Sequence, residues 1–204
     1  MNNIYQMMIS SGALKIDTTK CFTFSSGIIS PIYCDTRMLI SFPEYRKKII
    51  SEFLELTNKI HNIDCVAGVA TGGIAWGSWL SDRLDLPFCY VRSEIKSHGT
   101  KNIIEGLVSN DSNLLLIEDV VTTGNSLGRA VSQIRKITNG NITAMCLFSY
   151  GFKESIDLLD GLKIKLYPIM DLHGLIGQIS DKTQREDIVN WSNNPLGWNN
   201  ERKR

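Results

Sequence analysis

What this chain lacks closes off several classes of function. No apolar run approaches the roughly 18–20 residues that a membrane-spanning helix needs. The N-terminal MNNIYQMMISSG has neither a basic n-region nor a long apolar core, so a cytosolic location is expected. There is no surplus of charge either. Against 21 acidic residues stand 22 basic ones, a formal net charge of +1, so no global field draws the protein to nucleic acid or to an anionic membrane. Any anion site must be local. Five cysteines, Cys21, Cys34, Cys65, Cys89 and Cys146, are scattered without a C-x-x-C pair or a histidine at ligand spacing. The spacing argues against zinc, and the odd number against a disulfide framework. Cys65, Cys89 and Cys146 fall in apolar runs, where a thiol serves as a small buried hydrophobe. Repeats and low-complexity tracts are also missing. With 204 residues the chain can fill one full-sized core, and one domain over 1–204 is expected.

What is present alternates between two periods. SFPEYRKKIISEFLELTNKIHNI sets Ser41 and Glu44 at capping-box spacing and repeats apolar residues at Tyr45, Ile49, Phe53, Leu56 and Ile60, which predicts a helix. Apolar runs rich in β-branched residues at 65–70, 87–91, 114–118 and 142–148 predict buried strands. Between them lie helical patterns at 74–84 and 126–137, the second with Leu127, Ala130, Val131, Ile134 and Ile137 on one face. Such alternation predicts an α/β fold with a central, mostly parallel sheet flanked by helices. Residues 20–37 read as a hairpin punctuated by Gly27 and Pro31, 163–170 as a further strand, and 185–204 as a short helix with a charged tail. RSEIKSHGTKNIIEG, 92–106, is polar, aperiodic and carries two glycines, the pattern of a long, mobile, functional loop.

The chemistry concentrates in LLLIEDVVTTGNSL, 114–127. Glu118 and Asp119 stand at the carboxyl end of a predicted strand, where open α/β sheets bind ligands. The backbone N–H groups of Thr122 to Ser126 and the positive end of the following helix dipole face the same crevice and suit a phosphate. No G-x-x-x-x-G-K-[ST] is present, so this is not a P-loop. Two carboxylates beside a phosphate repel it by about 1 kcal/mol per pair at about 4 Å even in bulk water. They need another partner: a ribose diol, a Mg²⁺ ion or a developing positive charge on a sugar. A ribose 5-phosphate combines these features. An acidic pair at a strand end also suits a metal site of the response-regulator kind, but that reading leaves Thr-Thr-Gly-Asn-Ser without a role.

LLLIEDVVTTGNS resembles the phosphoribosyl-pyrophosphate (PRPP) motif of the type I phosphoribosyltransferases, which names a superfamily and not a substrate. FTFSSGIISPIYCDTR and YVRSEIKSHGTKNIIEG are similar to the N-terminal hood and catalytic loop of the orotate phosphoribosyltransferases, in the same chain order. The resemblance implies a type I phosphoribosyltransferase fold with a hood over about 1–40 and a catalytic loop over about 92–106. It implies a pentosyltransferase that uses PRPP and orotate, with Mg²⁺ carried mainly by pyrophosphate rather than by a protein site. It further implies a homodimer whose catalytic loop completes the partner's site. On this basis Glu118 and Asp119 hold the ribose hydroxyls and stabilise an oxocarbenium-like transition state. Val120 belongs to the PRPP-binding set, and Val121, Thr122, Thr123, Gly124, Asn125 and Ser126 cradle the 5-phosphate. Arg92, Lys96 and His98 close over the leaving pyrophosphate, Lys96 and His98 acting in catalysis. GVATGG, 68–73, matches the pyrophosphate loop, where the family commonly has a non-proline cis peptide. Thr122 and Tyr33 face orotate. The chain departs from the family pattern where many members carry lysine and it has Ser25, Gly72, Ser93 and Glu94. The arginine that often binds the orotate carboxylate after the 142–148 strand is absent, and Arg37 is the candidate in its place. His61 and His173 lie in no motif and read as structural. Trp76 and Trp79, one helical turn apart, read as packing residues. Two alternatives stay open: a phosphoribosyltransferase for another nucleobase, and a non-catalytic PRPP sensor on the same fold.

Overall fold

A computed structural model describes residues 4–24, 27–93, 103–195 and 198. The chain opens with α1 (Ile4–Ser10), β1 (Leu14–Ile16), β2 (Phe22–Thr23), β3 (Ile29–Ser30), β4 (Ile32–Cys34) and a 3-10 helix (Thr36–Ser41). β2 pairs antiparallel with β3, and β1 with β4. The predicted hairpin is therefore present, joined by a strand, β1, that three residues of pattern are too few to reveal. Together these pieces form the hood.

After the hood come α2 (Pro43–Thr57), β5 (Cys65–Val69), α3 (Gly72–Leu84), β6 (Phe88–Val91), β7 (Ile104–Glu105) and β8 (Leu114–Val121). The chain continues through α4 (Asn125–Ile134), β9 (Ile142–Ser149), α5 (Lys153–Gly161), β10 (Lys165–Asp171), α6 (Leu172–Ile176) and α7 (Lys182–Asn193). Six of the strands form one sheet in the order β10-β9-β8-β5-β6-β7. Its pairings are parallel except for β7, which runs antiparallel along the β6 edge. β8 lies inside the sheet, covered on both faces, and so reads as a continuous apolar run. Leu115 and Ile117 enter one core with Phe53, Trp76 and Met145, while Leu114 and Leu116 enter the other with Leu127, Val131 and Ala144. That is the two-residue alternation of a strand.

Several expectations are corrected. Ser41 does not cap α2: it closes the 3-10 helix, Phe42 is the N-cap without a side-chain bond, and Pro43 occupies the first turn, where its missing N–H costs nothing. α2 ends at Thr57, so Ile60 lies beyond it, and Ile50 joins Ile49 and Phe53 among its buried residues. α4 ends at Ile134, which leaves Ile137 past the helix and 38% exposed. Residues 92–106 are not all loop: Ile104 and Glu105 pair with Val91 and Tyr90, and the Ile103 carbonyl accepts from Arg92 N at 2.8 Å. The predicted packing of Trp76 and Trp79 holds, with Trp76 fully buried and the rings 5.4 Å apart edge to face. Among the described residues no helix is long and apolar enough to cross a membrane.

Candidate active site

The carboxyl ends of β5 and β8 meet the amino ends of α3 and α4. β8 continues as far as Val121, with Glu118 the last residue of its buried run and Asp119 and Val120 partly exposed beyond it. Gly124 then turns the chain into α4 with φ +77°, a left-handed conformation that favours glycine. No side chain caps α4, so the free N–H groups of its first turn are left to a ligand.

Glu118 is 5% exposed, and its Oε1 accepts from Asp119 N at 3.1 Å. Burial, reinforced by the neighbouring charge of Asp119, pushes its carboxyl well above the usual carboxylate range. Asp119 is oriented differently. Its Oδ1 accepts from Val120 N at 2.8 Å and its Oδ2 from the buried hydroxyl of Thr36 at 3.3 Å. A Cβ on Gly72 would fall 2.1 Å from the Asp119 carboxylate carbon. Glycine at 72 is thus what allows Asp119 to lie against the start of α3. The Ala70–Thr71 peptide, within the predicted pyrophosphate loop, is cis.

A cleft of about 620 Å³ opens between this rim and the hood. Glu118 and every residue from Val120 to Ser126 line it, as do Tyr33 and Arg37 from the hood. The structure therefore brings the predicted phosphate loop and the predicted orotate contacts into one cavity. Arg37 is engaged: its Nε and Nη2 donate to the two oxygens of Asp35 at 2.7 and 3.0 Å, which holds the Asp35 carboxyl below its usual range. Asp119 faces Thr36 and Gly72 rather than the main cleft. Arg92 lines a small adjoining cavity of about 20 Å³ with Ala70 and Ser126, and lies 3.5 Å from Glu105. Lys96 and His98 fall outside the described residues, as does Ser25. His61 and His173 are exposed and line neither cavity.

Sequence reasoning missed Phe24, Thr36, Arg129 and Tyr150. Tyr150 follows β9 and forms an apolar wall with Phe24, their rings 5.3 Å apart edge to face. Its hydroxyl donates to the hood carbonyl of Ile32 at 3.3 Å. Only Arg129 carried a usable signal, as a cation three residues beyond Ser126 on the same helix.

A phosphate nest beside two carboxylates on a parallel sheet, beneath a hood, defines a type I phosphoribosyltransferase. The Phosphoribosyl transferase domain family matches residues 44–155. The chain is 35% identical over 202 residues to an orotate phosphoribosyltransferase of Coxiella burnetii, covering 96% of each, and 34% identical to that of Bacillus mycoides, covering 92% of each. A crystal structure of orotate phosphoribosyltransferase from Aeropyrum pernix superposes with a TM-score of 0.75 at 28% identity, over 86% of this chain and 97% of that one. The chain belongs to the orotate phosphoribosyltransferase family.

Proposed function

We propose that the protein transfers the 5-phosphoribosyl group of PRPP to orotate, as a homodimer in the cytosol with Mg²⁺ as cofactor, in the synthesis of pyrimidine nucleotides. The C1′–oxygen bond to pyrophosphate breaks and a C1′–N1 bond to orotate forms. Orotidine 5′-monophosphate, pyrophosphate and the N1 proton are the products. The observation that carries the reading is the juxtaposition of Glu118 with the Thr122–Ser126 nest in one cleft, with Asp119 one residue on.

The nest takes the 5-phosphate through backbone N–H groups. Glu118 and Asp119 receive the ribose hydroxyls and stabilise positive charge as it develops on the sugar. Burial disfavours the charged form of Glu118, and a positive centre arriving beside it favours that form, so the pair is most stabilising where charge is greatest. Tyr33, Phe24 and Tyr150 offer the base an aromatic wall, and Thr122 a polar edge. Lys96 and His98, with Arg92, neutralise the leaving pyrophosphate and help keep water from the sugar cation.

Among the described residues no three His, Cys, Asp or Glu side chains gather into a metal site. Mg²⁺ would be carried mainly on pyrophosphate oxygens and would keep several waters. Once bound, Mg²⁺ would supply charge neutralisation of the leaving group. The five free cysteines are in keeping with a reducing compartment.

The test is direct. Protein mixed with PRPP, Mg²⁺ and orotate should consume the orotate absorbance, and omission of Mg²⁺ should abolish the signal. Turnover of hypoxanthine with no turnover of orotate would refute the assignment.

A further inference from the structure

The cleft must accept a phosphate beside Glu118, with Asp119 one residue on, and among the described residues few cations line it. Among the described residues two guanidinium groups line it, Arg37 and Arg129. Arg37 is committed to both oxygens of Asp35. Arg92 lies in the adjoining cavity, close to Glu105.

Arg129 is placed otherwise. It stands three residues after Ser126 on α4, so the two side chains share a helix face. Its Nη2 donates to Ser126 Oγ across 3.4 Å, a long bond to a neutral acceptor. Among the described residues it makes no ion pair, and its side chain is exposed. Arg129 and Ser126 line both the main cleft and the small cavity that reaches Ala70 and Arg92. The guanidinium is therefore held at the last residue of the phosphate nest, where the two cavities meet. Its charge also reaches Glu118, where it opposes the upward push of burial and of Asp119.

We propose that Arg129 binds the 5-phosphate, its guanidinium exchanging Ser126 for a phosphate oxygen held in the Thr122–Ser126 nest. The inference rests on the PRPP reading above and adds to it a charged ligand outside the acidic loop motif. A planar fork of N–H donors matches phosphate bidentately, and its bonds to an anionic oxygen are stronger than the single long bond to a neutral hydroxyl that is given up. Arg129 also sets a positive charge near Glu118, which offsets the repulsion of the phosphate by that carboxylate.

Orotidine 5′-monophosphate carries the 5-phosphate and pyrophosphate does not, so the two products separate this role from help to the leaving group. Calorimetric titration of each should be carried out on wild type, Arg129→Gln and Arg129→Lys. Arg129→Gln should weaken orotidine 5′-monophosphate about tenfold and leave pyrophosphate within about twofold, with KM for PRPP raised and kcat little changed. Arg129→Lys, which keeps the charge without the fork, should recover part of the loss. Because the side chain is exposed, thermal midpoints should match wild type. Unchanged nucleotide affinity in Arg129→Gln would overturn the inference, as would equal weakening of nucleotide and pyrophosphate. Wild-type protein that bound neither product would overturn the PRPP reading and this inference together.

Discussion

Glu118 shows how one side chain ties the site to stability. In the fold its carboxyl is pushed well above the usual carboxylate range, chiefly by burial, whereas in the unfolded chain it ionises in the ordinary range. From that range upward the unfolded state binds fewer protons than the folded one, so stability falls with rising pH until Glu118 itself ionises. Below it both states are protonated and the penalty disappears. Glu118→Gln removes the titration and keeps an oxygen for Asp119 N. Its Tm should exceed wild type at neutral pH and should converge with it towards about pH 4, where both states are protonated. A difference that did not vary with pH would remove the protonation argument. For Asp119→Asn the prediction is kinetic: kcat should fall by about 100-fold or more while KM for PRPP changes by less than about fivefold, since a carboxylate facing a sugar cation acts mainly in the transition state. Comparable effects on both constants would mean that it holds only the ground-state ribose. The acidic pair and the Thr-Thr-Gly-Asn-Ser loop were legible because they are contiguous and their chemistry is mutually constraining. Thr36 and Tyr150 were not: each reaches the site across long sequence separations, and neither residue type announces a role alone.

The element scale turns on the start of α3, where two adjacent glycines do different things. A Cβ at Gly72 meets the end of the Asp119 side chain, which can rotate away. At Gly73 it would lie 2.0 Å from the backbone carbonyl oxygen of Ile117, in the middle of the sheet. Gly72→Ala should therefore cost activity, about 100-fold in kcat/KM, with Tm within about 3 °C of wild type. Gly73→Ala must displace α3 from β8 and should destabilise the protein by about 2 kcal/mol or more. Thermal melts of the two variants beside their kinetics check the contrast, and the same balance of losses in both would contradict it. The sequence pattern located β5, β6, β8, β9 and β10 because parallel strands buried on both faces must be apolar throughout. It placed α2, α3 and α4 by their 3.6-residue stripes. Short elements escaped: β1 and β7 have too few residues to show a period, and α5 buries only Ser155 and Leu159. Ser41 misled because a capping box is a local pattern, and Pro43 supplied a competing way to begin the helix.

At the scale of the whole molecule the proposed dimer makes the most exacting claim. If the loop carrying Lys96 serves the partner's cleft, Lys96→Ala and Asp119→Asn should each be nearly inactive, yet unfolding and remixing them should restore activity. Random pairing gives half mixed dimers with one intact site each, so about a quarter of wild-type turnover should return. Recovery of none would mean that each loop closes its own site, with the transferase assignment untouched. Another long-range connection runs from the C-terminal part of the chain to the hood. Trp191 of α7 is fully buried against Tyr150 and Phe152, and its indole Nε1 donates to the Ile29 carbonyl at 2.9 Å. The hood thus rests on a fluorophore. Any displacement of β3 that a bound base requires would loosen that bond and admit water to the indole, and with the remaining tryptophans replaced by phenylalanine the movement of the hood would register as a red shift in the emission of one side chain.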